Sequence, residues 1–230
     1  MVDVAGNYRK IIDRISKAAL KAGRNPHEIK LLAAAKSQSI ESVRAAIAAG
    51  VRLVGENYVQ EAEKKKAAIS ERVEWHMIGH LQRNKVKAAL STFDLIASLD
   101  SLTLALALDK EGRKNGKTIR TFIEVNLGNE SSKSGIGQDK VEELLKRVAE
   151  LSHLRVEGFM AIPPFKENPE EVRPFFAALK NLQLKLQSLK IPNVMLNELS
   201  MGMTHDYSVA VEEGATIVRI GTALFGPRQS

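Results

Sequence analysis

Short apolar runs recur along the chain, each followed by a polar turn and then a stretch whose apolar residues return at helical spacing. The runs fall at 29–35, 53–56, 75–79, 95–98, 121–126, 156–162, 194–199 and 217–220. Each has the length and aliphatic content of a buried strand. Amphipathic patterns lie between them, at 39–49, 57–69, 83–90, 101–115, 139–151, 169–189 and 206–213, and a further helical pattern at 2–22 precedes all the strands. Ser39 and Gly50 bracket the first interstrand helix, a cap residue before it and a glycine after it. Eight strands alternating with helices predict a parallel α/β architecture, and eight is the number that closes a (β/α)8 TIM barrel. The expected fold is a single barrel domain over 1–230 with an extra N-terminal helix. An open doubly wound sheet is the alternative.

In such a barrel the reactive residues lie at the C-terminal ends of the strands. Lys36 ends the first strand, directly after Leu-Leu-Ala-Ala-Ala. At an apolar barrel mouth an amine is partly desolvated and freed as a nucleophile, although a lysine there can also simply reach out to water. The last two strands end in Ser200-Met201-Gly202 and Gly221-Thr222. That is where these barrels recurrently hold phosphate, through backbone N–H groups and hydroxyls that glycine lets come close. Arg219 stands inside the last apolar strand and needs a partner, either a core carboxylate or a ligand atom. Asn57 sits where the second strand turns into its helix, which helix capping alone would explain.

Other patterns exclude chemistry. The chain has 230 residues and no cysteine, so disulfides, thiolate metal sites and a cysteine nucleophile are absent. His76 and His80 share one side of a strand, but no third ligand accompanies them, so no metal is expected. Met77 would face the other way, as core residues do. The loop Lys133-Ser134-Gly135-Ile136-Gly137 lacks the order of a P-loop. Ser200, His205 and Asp206 are neighbours in sequence, which is not triad geometry.

The net charge is +7, yet Lys and Arg are scattered among Asp and Glu and aromatics make up only 5%. The run Lys64-Lys65-Lys66 follows Glu61 and Glu63 and reads as a solvated helix face. No nucleic-acid partner is expected, and the basic balance suits a small anionic ligand. The N-terminus lacks the pattern of a signal peptide and no apolar stretch is long enough to span a membrane, so a soluble cytoplasmic protein is expected.

Several of these segments resemble one family in a fixed order. They are Ala34-Ala35-Lys36-Ser37, Gly55-Glu56-Asn57-Tyr58-Val59-Gln60-Glu61 and Trp75-His76-Met77-Ile78-Gly79-His80-Leu81-Gln82. Glu124-Val125-Asn126, Lys133-Ser134-Gly135, Gly158-Phe159-Met160-Ala161-Ile162, Leu199-Ser200-Met201-Gly202-Met203 and the stretch from Val218 to Gly226 follow. Together they are similar to the pyridoxal phosphate homeostasis protein family (YggS/PROSC type). The resemblance implies a fold like the N-terminal barrel of alanine racemase, fold type III among pyridoxal 5′-phosphate (PLP) proteins. It implies PLP carried as a Schiff base on Lys36, with Ser200, Gly221 and Thr222 at the phosphate. Arg219 would face the pyridine nitrogen, and Asn57 and Met77 would line the ring. Two positions depart from the family pattern: Arg83 stands where a small residue is usual, and Thr204-His205-Asp206 where Ser and an acidic residue follow Met203.

Homeostasis fits these residues better than turnover. A cation beside the pyridine nitrogen weakens the electron sink. The racemases add a tyrosine from a second domain of a partner subunit, and this chain ends at Ser230, directly after the last strand. The expectation is a monomeric carrier that supplies PLP-requiring apo-enzymes, with no catalytic residues. A PLP-dependent racemase or aldolase using His80 or Tyr58 is one alternative; a cofactor-free barrel that forms a Schiff base with a phosphorylated substrate is the other.

Overall fold

The computed structural model describes residues 2–128 and 134–227; Lys133 lies outside them. Helix α1 (Val4–Lys21) comes first, capped by Asp3, whose carboxylate accepts the Gly6 N–H at 2.8 Å. The barrel strands are β1 (Lys30–Ala34), β2 (Leu53–Glu56), β3 (Glu74–Met77), β4 (Leu95–Leu99), β5 (Ile119–Asn126), β7 (Leu154–Ala161), β8 (Val194–Ser200) and β9 (Ile217–Ile220). A two-residue strand, β6 (Ile136–Gly137), pairs only with the end of β5. The helices between them are α2 (Ile40–Ala49), α3 (Val59–Ala68), α4 (Val86–Thr92), α5 (Leu102–Asn115), α6 (Val141–Ala149), α7 (Arg173–Gln187) and α8 (Tyr207–Glu212), and α9 (Thr222–Phe225) follows the last strand.

Every pairing is parallel, in the order β4-β3-β2-β1-β9-β8-β7-β5, and β4 pairs with β5 to close the ring. The barrel expected from the alternation of strands and helices is therefore the fold, and the open sheet is not. The α1 helix packs on α2, α8 and α9, covering the seam where the first and last strands meet. Among the described residues no helix is long and apolar enough to cross a membrane.

Alternation along the strands divides the core in two. Leu32, Leu53, Leu95, Ala97, Phe122, Met160 and Ile217 fill the inside of the barrel, with Ile78 packed on them. Their neighbours Leu31, Ala33, Val54, Trp75, Met77 and Ile123 face the helices. Two strands approach closely at Gly158, where a Cβ would meet the Glu198 carbonyl oxygen at 2.1 Å.

The N-terminal end of the barrel is plugged by charge. Arg120 binds Glu74 at 2.6 Å and Glu157 at 2.9 Å, and Lys30 pairs with Glu198. His76 belongs to this plug, 3.0 Å from Glu74 and edge-on to Phe122. The solvated face expected of Lys64-Lys65-Lys66 needs correction at its middle member. Lys64 is exposed and Lys66 half-buried, but Lys65 is buried, continuing the inward stripe of Val59 and Ala62.

Candidate functional site

Positions two residues above the inner cluster converge on the opposite, C-terminal end. From Ala34 the same parity leads to Lys36, from Gly55 to Asn57, from Met160 to Ile162, and from Ile217 through Arg219 to Gly221. These side chains line a cavity of about 340 Å³, together with Ile78, Met203, Thr204, His205 and Thr222. The volume is in the range of small-molecule sites. The pocket therefore brings together Lys36, Asn57, Arg219, Gly221 and Thr222. Lys36 is half-buried, with its amine 5.3 Å from the centre of the exposed Tyr58 ring.

The other two expected residues lie elsewhere. Met77 pairs in register with Glu56 on the helix-facing side of the sheet and packs in the outer core. Ile78, the next residue, is the one that reaches the cavity. Strand alternation alone carried that signal. Ser200 is level with Met160, one layer below the cavity wall formed by Ile162, and is 1% exposed. Its hydroxyl accepts from Arg219 Nη1 at 3.0 Å.

Arg219 is buried, yet no carboxylate among the described residues takes its hydrogen bonds. Nη1 also donates to the Ser200 carbonyl, and Nη2 donates to the Ala161 carbonyl at 2.8 Å. Burial lowers its pKa to about 10, against the raising influence of Glu124 and Asp206. The guanidinium stays charged at neutral pH.

The turn after β8 is built on Gly202, at φ 89°, where a Cβ would meet the Ala210 Cβ at 2.4 Å. Asp206 accepts the Met203 N–H at 2.7 Å, and Thr204 Oγ1 accepts the Ala223 N–H at 3.2 Å. Thr222 opens α9, so its own N–H has no intrahelical acceptor. His205 and Thr204, where the sequence departs from the family pattern, both line the cavity. The His205 ring lies 5.4 Å from that of Phe165, and its Nε2 is 2.8 Å from the Glu167 carbonyl oxygen.

His80 does not join this site. It sits 3.3 Å from Asp100 and lines a larger, more open groove of about 650 Å³ with Gln82, Arg83, Asn84, Ser101 and Thr103. Size alone would favour that groove, but it gathers neither the amine nor the glycine turns. Among the described residues no three metal-ligating side chains come together.

Glu124 is buried in the barrel interior, and its Oε2 has no hydrogen-bond partner among the described residues. Burial pushes its pKa up to about 7; Asp100 adds to the shift and Arg219 opposes it. A carboxyl that holds its proton more tightly when folded stabilises the fold at low pH. That contribution is lost as pH rises from the ordinary value of 4.5 through about 7. Glu124→Gln in ligand-free protein should flatten the decline over this window, leaving the variant more stable at pH 8 by on the order of 3 kcal/mol. Denaturant titrations of both proteins at pH 5 and pH 8 check this, and parallel declines would refute it.

The sequence profile of the alanine racemase N-terminal domain matches residues 7–229. A pyridoxal phosphate homeostasis protein of Aquifex aeolicus is 46% identical over 221 residues, covering 96% of each chain. The structure of PipY from Synechococcus elongatus, with PLP bound, superposes with a TM-score of 0.81 at 34% identity, covering 94% of this chain and all of that one. An alanine racemase of Clostridium difficile 630 shares the fold at a TM-score of 0.74 and 12% identity, over 95% of this chain and 60% of its own. With this barrel and these matches across nearly its whole length, the chain belongs to the pyridoxal phosphate homeostasis protein family, built on the alanine racemase N-terminal-domain fold.

Proposed function

We propose that this protein binds PLP in the 340 Å³ cavity, covalently on Lys36, and serves PLP homeostasis as a carrier and not as an enzyme. The observation that carries the reading is one cavity holding both a half-buried lysine amine and the Gly221-Thr222 turn at the start of a helix. The donor set fits a phosphorylated aromatic aldehyde: an amine, a buried guanidinium, a hydroxyl, free backbone N–H capacity, and the apolar walls Ile78, Ile162 and Met203. When bound, the PLP aldehyde condenses with a primary amine, forming a C=N bond and releasing water.

In this reading Lys36 supplies the amine, and Gly221 and Thr222 take the phosphate. Asn57 and Ile78 flank the ring, and Arg219 lies toward its nitrogen, held in place through Ser200. A carrier role is supported by the charge of Arg219 and by His80, which pairs with Asp100 in the neighbouring groove. The relatives' name supports it too. A monomeric cytoplasmic protein that meets PLP-requiring apo-enzymes is part of the same reading. His205 on the cavity wall is the observation favouring turnover. Robust amino-acid racemisation, lost in His205→Ala, would make that alternative the better one.

The test is the visible spectrum of protein incubated with PLP, followed by borohydride reduction and peptide mapping. A yellow protein with the reduced label on Lys36 is expected; a colourless protein, or a label elsewhere, sinks the proposal. Gly221→Val probes the phosphate side. An added Cβ there meets nothing closer than the Ala34 carbonyl oxygen at 3.6 Å, and φ is −107°, outside the left-handed region that calls for glycine. The fold should survive while the extra methyls crowd the phosphate, lowering PLP affinity about tenfold or more, a cost of about 1.4 kcal/mol per decade. Unchanged affinity by fluorescence titration would move the phosphate elsewhere.

A further inference from the structure

The backbone on either side of Lys36 is held by a buried ion-pair network to which no cavity-lining residue belongs. Lys65 of α3 donates to the Ala35 carbonyl at 2.7 Å and to Glu56 Oε1 at 2.6 Å, and lies 3.6 Å from Glu61 Oε2. That same Glu61 oxygen accepts the Ser37 N–H at 3.0 Å. Ala35 and Ser37 are the residues immediately before and after Lys36. Ser37 has φ 61°, a left-handed conformation that a non-glycine residue keeps only where its surroundings impose it.

Three side chains face this loop: Tyr58, the extended residue that precedes α3, and Glu61 and Lys65, which lie i,i+4 on one face of α3. Tyr58 meets the amine, Glu61 holds the following N–H, and Lys65 holds the preceding carbonyl. Packing alone does not call for this arrangement. A buried cation must recover its hydration from well-placed acceptors, and an apolar residue at the same depth would stabilise the helix at least as well. Glu56 meanwhile keeps Oε2 without a partner among the described residues.

We propose that Lys65 and Glu61 are positioning residues. They fix the chain on both sides of Lys36 and so aim its amine at the aldehyde carbon of PLP. The proposal rests on the reading of Lys36 as the attachment site. A lysine side chain has four rotatable bonds beyond its backbone. Fixing the backbone removes the largest source of misdirection, and small misplacements of a reacting atom cost rate steeply.

The experiment compares two ligands. PLP carries the aldehyde; pyridoxine 5′-phosphate carries an alcohol in its place and binds without reaction. Wild-type protein should bind both and trap the borohydride label on Lys36. Glu61→Ala and Lys65→Met should slow formation of the coloured adduct and weaken PLP binding, by about tenfold or more, while pyridoxine 5′-phosphate binds as before. Glu61→Gln, which keeps an acceptor for the Ser37 N–H, should recover most of the rate. If Lys65→Met does not fold, Glu61→Ala carries the test, because the Glu61 side chain is 35% exposed. Equal weakening of both ligands would reduce the pair to general scaffolding, and no change in either would leave it without a role; both results overturn the proposal. A wild-type protein that traps no label on Lys36 overturns the underlying reading as well, and that result appears before any variant is made.

Discussion

Lys36→Ala should abolish the visible absorption band and the borohydride-trapped adduct, with no loss of fold. The side chain is half-buried at the mouth, and its contact with the exposed Tyr58 ring spans 5.3 Å. Truncating such a residue moves stability by about 0.5 kcal/mol or less. Ala34 and Ala35, which lie below it, keep their packing. On the proposed reading the cofactor would lose its covalent attachment but retain the Gly221-Thr222 turn, the apolar walls and Arg219. Residual binding is therefore expected, weaker by about 100-fold, or about 2.8 kcal/mol at 1.4 kcal/mol per decade. Equilibrium dialysis against PLP measures it. A variant that still forms the band, labelled on another lysine, would show that the cavity is not the site of attachment. Unchanged affinity would show that attachment contributes nothing to retention.

Much of this site was legible before the fold was known, because barrel geometry turns sequence position into location. Lys36 and Gly221-Thr222 lie just past the ends of their strands, so an alternation of strands and helices sufficed to bring them to one mouth. Parity was the less visible layer. Trp75 and Met77 share the outward face of β3, while His76 and Ile78 share the inward one, so Ile78 takes the wall position expected of Met77. Ser200 follows the parity rule but stops one layer short, and its hydroxyl serves Arg219.

Lys65 was hidden by its neighbours, since three consecutive lysines after two glutamates have the composition of a wet surface. The helical phase of Val59 and Ala62 nevertheless points the third position of that stripe inward. Neither β6 nor α9 is long enough to show a period of its own. Two of the acceptors of Arg219 were beyond reach for another reason: they are backbone carbonyls of two other strands, which no side-chain pattern announces.

Those carbonyls make Arg219→Leu the substitution with the largest expected effect on stability. The pairing of β8 with β9 has a single register pair, Ser200 with Ile217, and is carried on by backbone hydrogen bonds from Thr216 to Leu199, Met201 to Ile217 and Arg219 to Gly202. Arg219 of β9 spans it, with hydrogen bonds to the ends of β8 and β7 at Ser200 and Ala161. Leucine fills part of the volume but takes the guanidinium donors from two buried carbonyls, at about 1–3 kcal/mol each. It also removes the cation whose field reaches Glu124 and Asp206. The combined loss should be about 3–5 kcal/mol, a large share of the roughly 5–15 kcal/mol that holds a domain folded.

Arg219→Lys keeps the charge but lacks the planar fork that reaches both strands, and should lose less. Ser200→Ala, which removes one acceptor and leaves the carbonyls served, should cost about 1 kcal/mol. Glu124 couples to the loss. Without Arg219 its pKa rises further, so the damage should be smaller at pH 6 than at pH 8, and Glu124→Gln in the Arg219→Leu background should recover part of it. Urea denaturation of the four variants at both pH values reads all of this. If the midpoint of Arg219→Leu matched the wild type, the guanidinium would not be clamping this pairing, and its burial would be left to ligand binding alone.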